Sequence, residues 1–327
     1  TTTNKYDKNG RLVSVTDPKG NETKYTYDSL GNLTKVENAL NEVTINEYDG
    51  MNRLVSSKDP GGHVTRYSYD ELGRQTVLTD ANGNKVNNYY DALGNIIKIT
   101  DQSGHVDFEG VYDNCNRITE VTDSAGNKTT NTYDWEGNLT QQKDALNNIC
   151  SYTYNSLGKM VSAVDKDGKN SYATYDGMGN LTSMTGPLGC VVGYAYNTAG
   201  QVTEKNGLTG ASYTYNALGL IKTLTKNEGG TTTYTYDKAG RITGFVDSEG
   251  TTTYTYDANG NVITASDDVG TVSREYDALN RVTKYTDING RVIQYEYDSC
   301  GNLKKMTYPN GENGTYTYDP NHNMLTS

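Results

Sequence analysis

Of 327 residues only one is tryptophan and two are phenylalanine, and proline appears five times. Phenylalanine and tryptophan therefore supply little of any core. With a hydrophobic fraction of 34%, the chain has little aliphatic material to replace them. No apolar run is long enough for a membrane-crossing helix, and no helical periodicity extends far enough to trust. Basic charge is short as well: 29 Lys and Arg stand against 40 Asp and Glu, for a net charge of −11, with no basic cluster. That argues against nucleic acid, whose phosphates need a basic face, and against anionic membrane surfaces.

Chemistry-bearing residues are equally sparse. Cys115, Cys150, Cys190 and Cys300 show neither metal-ligand spacing nor a C-x-x-C pair. Cys115 and Cys300 stand in a slot that elsewhere holds Leu30, Leu72 or Leu93, so they are expected to act as small buried apolar residues. His63, His105 and His322 fall at turn positions with no orienting third group, and are expected to be solvated. Asp165-Lys166-Asp167-Gly168 and Asp80-Ala81-Asn82-Gly83 look faintly like calcium loops but lack the downstream bidentate Glu. No catalytic residue, metal or cofactor is expected.

What the chain does have is 29 tyrosines and 35 glycines, arranged in a repeat. The stretch Tyr25-Thr26-Tyr27-Asp28-Ser29-Leu30-Gly31-Asn32-Leu33-Thr34 recurs in 16 copies, with the Tyr-Asx pair returning every 21 residues apart from slips to 19, 20 or 22. A fixed period in this range is the signature of a repeat architecture. Four residues after the Tyr, 12 copies have Gly, three have Asn (Asn52, Asn116, Asn280) and the last has His322. Gly and Asn share a tolerance of positive φ, and an Asx side chain can bond the backbone two residues on. Each Tyr-Asx-x-x-Gly is therefore read as a tight turn between two strands, making the unit a β-hairpin. A second turn joins each hairpin to the next, as in Asp17-Pro18-Lys19-Gly20, with Asn41 and Asn147 replacing the Gly in two links. This predicts about 32 short strands, and an open sheet of that size must coil or close.

Three features complicate the pattern. Apolar residues recur both six and nine places after the Tyr (Leu33 and Val36, Ile96 and Ile99), an odd separation that one face of a regular strand cannot hold. Either a bulge intervenes or both faces are partly buried. From Tyr152 to Tyr254 a second Tyr usually stands two places before the repeat Tyr, suggesting an aromatic ladder that Asn46, Asn88, Gly110 and Asn131 break in the first half. The links around Gly186–Cys190 and Asn206–Gly210 depart most from the pattern, and a kink or wider loop is expected there.

The motif Tyr-Asp-x-x-Gly-Asn/Arg-Leu/Ile-Thr, repeated over essentially the whole chain, resembles the YD repeat of the RHS family. That family includes bacterial RHS and wall-associated polymorphic toxins, the encapsulating subunits of Tc toxins, and the teneurin YD shell. The resemblance implies a spiral strip of hairpins closing into a hollow shell, which in complete toxins encloses a toxic domain until delivery and in teneurins serves adhesion. It also implies a bacterial, secreted or cell-surface setting. The family's C-terminal core motif, self-cleaving aspartates and variable toxin domain have no counterpart here, so no catalytic residue carries over. The scaffold residues do: Tyr27, Asp28 and Gly31; Tyr69, Asp70 and Gly73; Tyr90, Asp91 and Gly94; Tyr133, Asp134 and Gly137; Tyr236, Asp237 and Gly240; Tyr297, Asp298 and Gly301.

The expectation is thus an all-β chain: a coiled strip of about 16 tandem hairpins, a shell segment, with residues 1–327 as one continuous array. Because Thr1 and Ser327 lie inside strands without capping repeats, a piece of a longer protein is expected. Its function would be that of a non-enzymatic scaffold whose partner is the toxin cargo domain of the parent protein. The alternative is a carbohydrate-binding or adhesion module in which Tyr213, Tyr234 and Tyr254 stack on cell-surface glycans.

Overall fold

The computed structural model describes residues 1–326. Among the described residues there is no helix; 33 short strands account for all the regular structure, and 31 of them belong to one sheet. One more strand than the repeat predicts arises near the end of the chain. There Asn313–Thr315 and Thr317–Tyr318 are separate pieces, although the Tyr316 N–H still donates to the Lys304 carbonyl at 3.0 Å.

The first repeats show the pattern. Strand β1 (Thr3–Tyr6) pairs antiparallel with β2 (Leu12–Thr16), β2 with β3 (Glu22–Tyr27), and β3 with β4 (Leu33–Glu37). Across the β3–β4 hairpin the register runs Tyr25 to Val36 and Thr26 to Lys35, then shifts so that Tyr27 faces Leu33. Thr34 is the extra residue. This bulge resolves the odd spacing: it restores the phase, so Leu33 and Val36 both lie on the face of Tyr25 and Tyr27. The same shift recurs at the repeat Tyr, for example at Tyr133, Tyr236 and Tyr297, whereas link hairpins such as those at Thr16–Glu22 and Val164–Asn170 keep an unbroken register; the link after Thr100 is an exception, with a shift between Ile99 and Thr100.

Both kinds of turn are built alike. In the Tyr-Asx turn the Asp28 N–H donates to Asn32 O at 3.0 Å and the Gly31 N–H to Asp28 O at 3.2 Å; in the link turn Asp17 and Gly20 repeat these bonds. The αL slot is real: φ is +96° at Gly31 and +94° at Gly94, and Asn52, Asn116 and Asn280 take +63°, +60° and +64°. His322 also adopts +65° there.

Chain contacts divide the molecule into two compact units, Thr1–Asn88 with Thr252–Ser327, and Tyr89–Thr251. In neither is there an enclosed core. Ala211, 6% exposed, is the one buried hydrophobic residue among those described. Stability must come from neighbour-to-neighbour contacts along the array. In the second unit the link at Gly186–Cys190 turns out regular, with the Gly186 N–H donating to Cys190 O at 2.8 Å and Gly189 at φ +80°. Nothing in its backbone differs from the other links, because Gly186 replaces only the Asx side chain. The expected departure does occur at residues 206–210. Gly207 sits at φ +128°, and a Cβ there would lie 3.0 Å from the Val191 carbonyl oxygen.

Candidate functional site

The recurring side chains are the first candidates, and each has a structural task. The Asp28 carboxylate accepts the Leu30 and Asn32 backbone N–H groups on Oδ1, both at 2.9 Å, and the Asn32 side-chain amide on Oδ2. That side-chain bond first, and the backbone bonds after it, hold its pKa below the usual carboxylate range. Asp70, Asp91, Asp134, Asp237 and Asp298 make the equivalent bonds to the residue four places on, which is Arg74, Asn95, Asn138, Arg241 or Asn302. Gly73, Gly137, Gly240 and Gly301 close these turns at positive φ.

The tyrosine hydroxyl explains why the repeat needs Tyr and not Phe. A bulge interrupts the ladder and releases carbonyls. One is satisfied inside the hairpin, where the Thr34 hydroxyl donates to Thr26 O at 3.2 Å. The next is satisfied by the following repeat. Tyr27 donates to Leu12 O at 2.9 Å, Tyr69 to Leu54 O at 2.7 Å, Tyr133 to Ile118 O at 2.8 Å, Tyr236 to Ile221 O at 2.6 Å and Tyr297 to Val282 O at 2.8 Å. The rings are half-buried, as is that of Tyr90, and burial raises the phenol pKa of Tyr69, Tyr236 and Tyr297. Where Arg follows the turn glycine or asparagine, it adds a second tie. Arg117 pairs with Asp113 at 2.7 Å, donates to Asp134 O of the next turn at 2.8 Å, and lies 4.8 Å from the Tyr133 ring centroid.

The second-tyrosine slot is less of a ladder than the sequence suggests. Tyr213, Tyr234 and Tyr254 are half-buried on the repeat-tyrosine face, and Tyr234 packs against Phe245 with centroids 6.1 Å apart. Where Asn stands instead, it does not simply break the pattern. Asn46 and Asn131 donate to Leu33 O and Ile118 O, the carbonyls that Tyr48 and Tyr133 also reach.

In the first unit, link turns of the 1–88 segment meet Tyr-Asx turns of the 252–326 segment. Lys19 pairs with Asp257 at 3.1 Å, and Asn259 donates to Asp17 at 2.6 Å. Asn82 donates to Asp319 at 2.9 Å and Asn321 to Asp80 at 2.6 Å. Burial pushes the Asp257 carboxyl up, but bonds from Asn261 and Lys19 outweigh it and hold it at about 2. Asp319 is held at about 2 chiefly by the Asn323 amide, with Asn82 adding to it. Sequence reading missed this seam because its partners lie some 240 residues apart.

The same seam overturns two expectations. Cys300 is not a buried apolar residue: its Sγ lies 3.5 Å from Asp59 Oδ2, and burial, then that carboxylate, push its thiol pKa up. Cys115 is plainly exposed. His105 and His322 are exposed as expected, although His322 reaches Asp59 at 3.3 Å; His63 is half-buried and contacts Asp59 at 2.9 Å. Burial raises the Asp59 pKa, yet the His63 bonds lower it further, for a net depression.

The site is a hydrogen-bonded framework, and it defines a class: a tandem β-hairpin scaffold. A family model described as RHS Repeat matches residues 6–43, 48–85, 90–128, 236–272 and 276–313, and one described as Teneurin YD-shell matches residues 116–242. The chain belongs to the RHS repeat family. No curated protein sequence matches it. Among solved structures, the TcdB2-TccC3-TEV crystal structure aligns over 99% of this chain and 22% of its own, at 16% identity and a TM-score of 0.61. The Photorhabdus luminescens Tc holotoxin pore with mutant TccC3 gives the same values. At that identity the likeness establishes the fold alone. The chain spans about a fifth of the length of these structures.

Proposed function

We propose that the chain is a non-catalytic wall segment, a single continuous array within a longer bacterial protein that is secreted or carried on the cell surface. That protein would enclose or present a toxin cargo domain lying C-terminal to the array. The carrying observation is that the recurring side chains are spent on holding hairpins: Asx carboxylates on their own turns, Tyr hydroxyls on the carbonyl of the preceding repeat. Glycan stacking at Tyr213, Tyr234 and Tyr254 is the second reading. Against it, these rings lie half covered on the packed face, and Tyr234 already has Phe245 as a partner. Limited proteolysis of the longer protein tests the proposal. The cargo should resist cleavage while the array is intact and become sensitive when Tyr133→Ala and Tyr236→Ala loosen it. A cargo cleaved equally in both would refute it, and specific retention of the 327-residue chain on a glycan array would favour the second reading.

A further inference from the structure

Asp59, His63, Cys300 and His322 each present one donor atom, and these four atoms lie within 4.8 Å of one another. About Asp59 Oδ2 the separations are 2.9 Å to His63 Nδ1, 3.3 Å to His322 Nε2 and 3.5 Å to Cys300 Sγ. Zinc bonds of about 2.0–2.3 Å in a tetrahedron put ligand atoms roughly 3.3–3.8 Å apart, so small side-chain rotations would seat an ion. The two imidazoles already stand edge to face, with centroids 5.7 Å apart.

Three of the four residues are departures from the repeat. Cys300 takes the slot of Leu30, Leu72 and Leu93; His322 takes that of the turn glycines; His63 stands where other links have Asn21, Asn84 or Asn127. Their convergence from turns some 240 residues apart is not something the repeat requires. Gly61 is an independent sign. Its φ is not positive, so its backbone does not need glycine, and other links carry Lys19, Asn82 or Leu146 at that slot. A Cβ at Gly61 would lie 2.7 Å from Cys300 Sγ, 2.7 Å from His63 Cε1 and 3.0 Å from His63 Nδ1. The glycine keeps the cluster's space open.

We propose that Asp59, His63, Cys300 and His322 form a tetrahedral site for a divalent transition-metal ion, zinc by preference, that clips the two segments of the first unit together. The donor set of one thiolate, one carboxylate and two imidazoles suits zinc rather than calcium or magnesium. Binding releases the Cys300 thiol proton to solvent. The thiolate and the Asp59 carboxylate then balance the dication, leaving a neutral site. Each imidazole binds through the nitrogen that faces Asp59 and carries its proton on the other; at His322 that other nitrogen is Nδ1, 3.1 Å from Asn302 Nδ2, so the Asn302 amide turns away from it as the ion binds. No electron transfer is involved.

The test uses the chelator-treated 327-residue chain titrated with Co2+ and then Zn2+. Cobalt should bind one equivalent, giving the visible bands of a tetrahedral complex and the ultraviolet thiolate charge-transfer band, and zinc should displace it. Zinc should also raise the thermal midpoint. The decisive variants are Cys300→Leu and His322→Gly, which restore the residues the repeat normally uses and so should fold. Each should weaken zinc binding about a hundredfold or more, at least the loss seen for residues that merely support a metal ligand. His105→Asn should bind as the wild type does. Absence of a one-equivalent cobalt spectrum in the wild type, or zinc binding undiminished in both consensus variants, would overturn the proposal.

Discussion

At the scale of single residues, Tyr133 carries two separable contributions: a half-buried ring under Arg117 and a hydroxyl on the Ile118 carbonyl. Tyr133→Phe keeps the ring and leaves that carbonyl without this donor. Urea denaturation should show a loss of about 1 kcal/mol, the usual worth of one such bond. No loss would mean that the hydroxyl is dispensable beside the Asn131 amide, which donates to the same carbonyl. The turn glycine tests a different force. Gly94 lies at φ +94° and nothing stands within 4 Å of a Cβ built there, so any penalty is backbone strain and not collision. Gly94→Val should cost about 1–3 kcal/mol. Gly94→Asn should cost much less, because Asn52, Asn116 and Asn280 already occupy that slot at φ near +60°. Equal tolerance of the two would contradict the assignment.

At the scale of the hairpin, the bulge is the organising device. Thr140 is the extra residue opposite the Thr132–Tyr133 step, and its hydroxyl donates to Thr132 O at 3.1 Å. Deleting it should leave Thr132 opposite Gln141 and Tyr133 opposite Leu139 in a regular ladder, with the two faces unchanged. Backbone amides of that hairpin should therefore stay protected; markedly faster exchange would show that the bulge does more than set the phase of Leu139–Lys143. The sequence contained the signal for this device, a Thr recurring directly after the apolar residue. Alternation alone could not say whether that Thr was a bulge or a strand residue. The turns were fully legible, since Asx bonding and positive φ are local. The regularity of the Gly186–Cys190 link was not, because a turn can lose its Asx side chain and keep its backbone bonds.

At the scale of the whole molecule, local chemistry stops being a guide. Cys300 and His322 read as a small apolar residue and a turn histidine, because nothing within a repeat indicates that they face Asp59 and His63. The seam also has a pH signature. Asp257 and Asp319 are depressed to about 2 from an ordinary 3.8, so the stability they add is complete above the ordinary value and is lost as pH falls through the folded one. The thermal midpoint should therefore drop between about pH 4 and pH 2, and Asp257→Asn should lessen that drop. A flat midpoint over this window would contradict the seam's carboxylate bonding.

The central claim is that each repeat is held by its neighbours through the tyrosine it lends them, and hydrogen exchange read repeat by repeat tests it most directly. In Tyr133→Ala, protection should fall in the hairpin of Tyr133 and in those of Tyr112 and Tyr154, while repeats farther along keep theirs. Protection unchanged in all three hairpins would contradict the account.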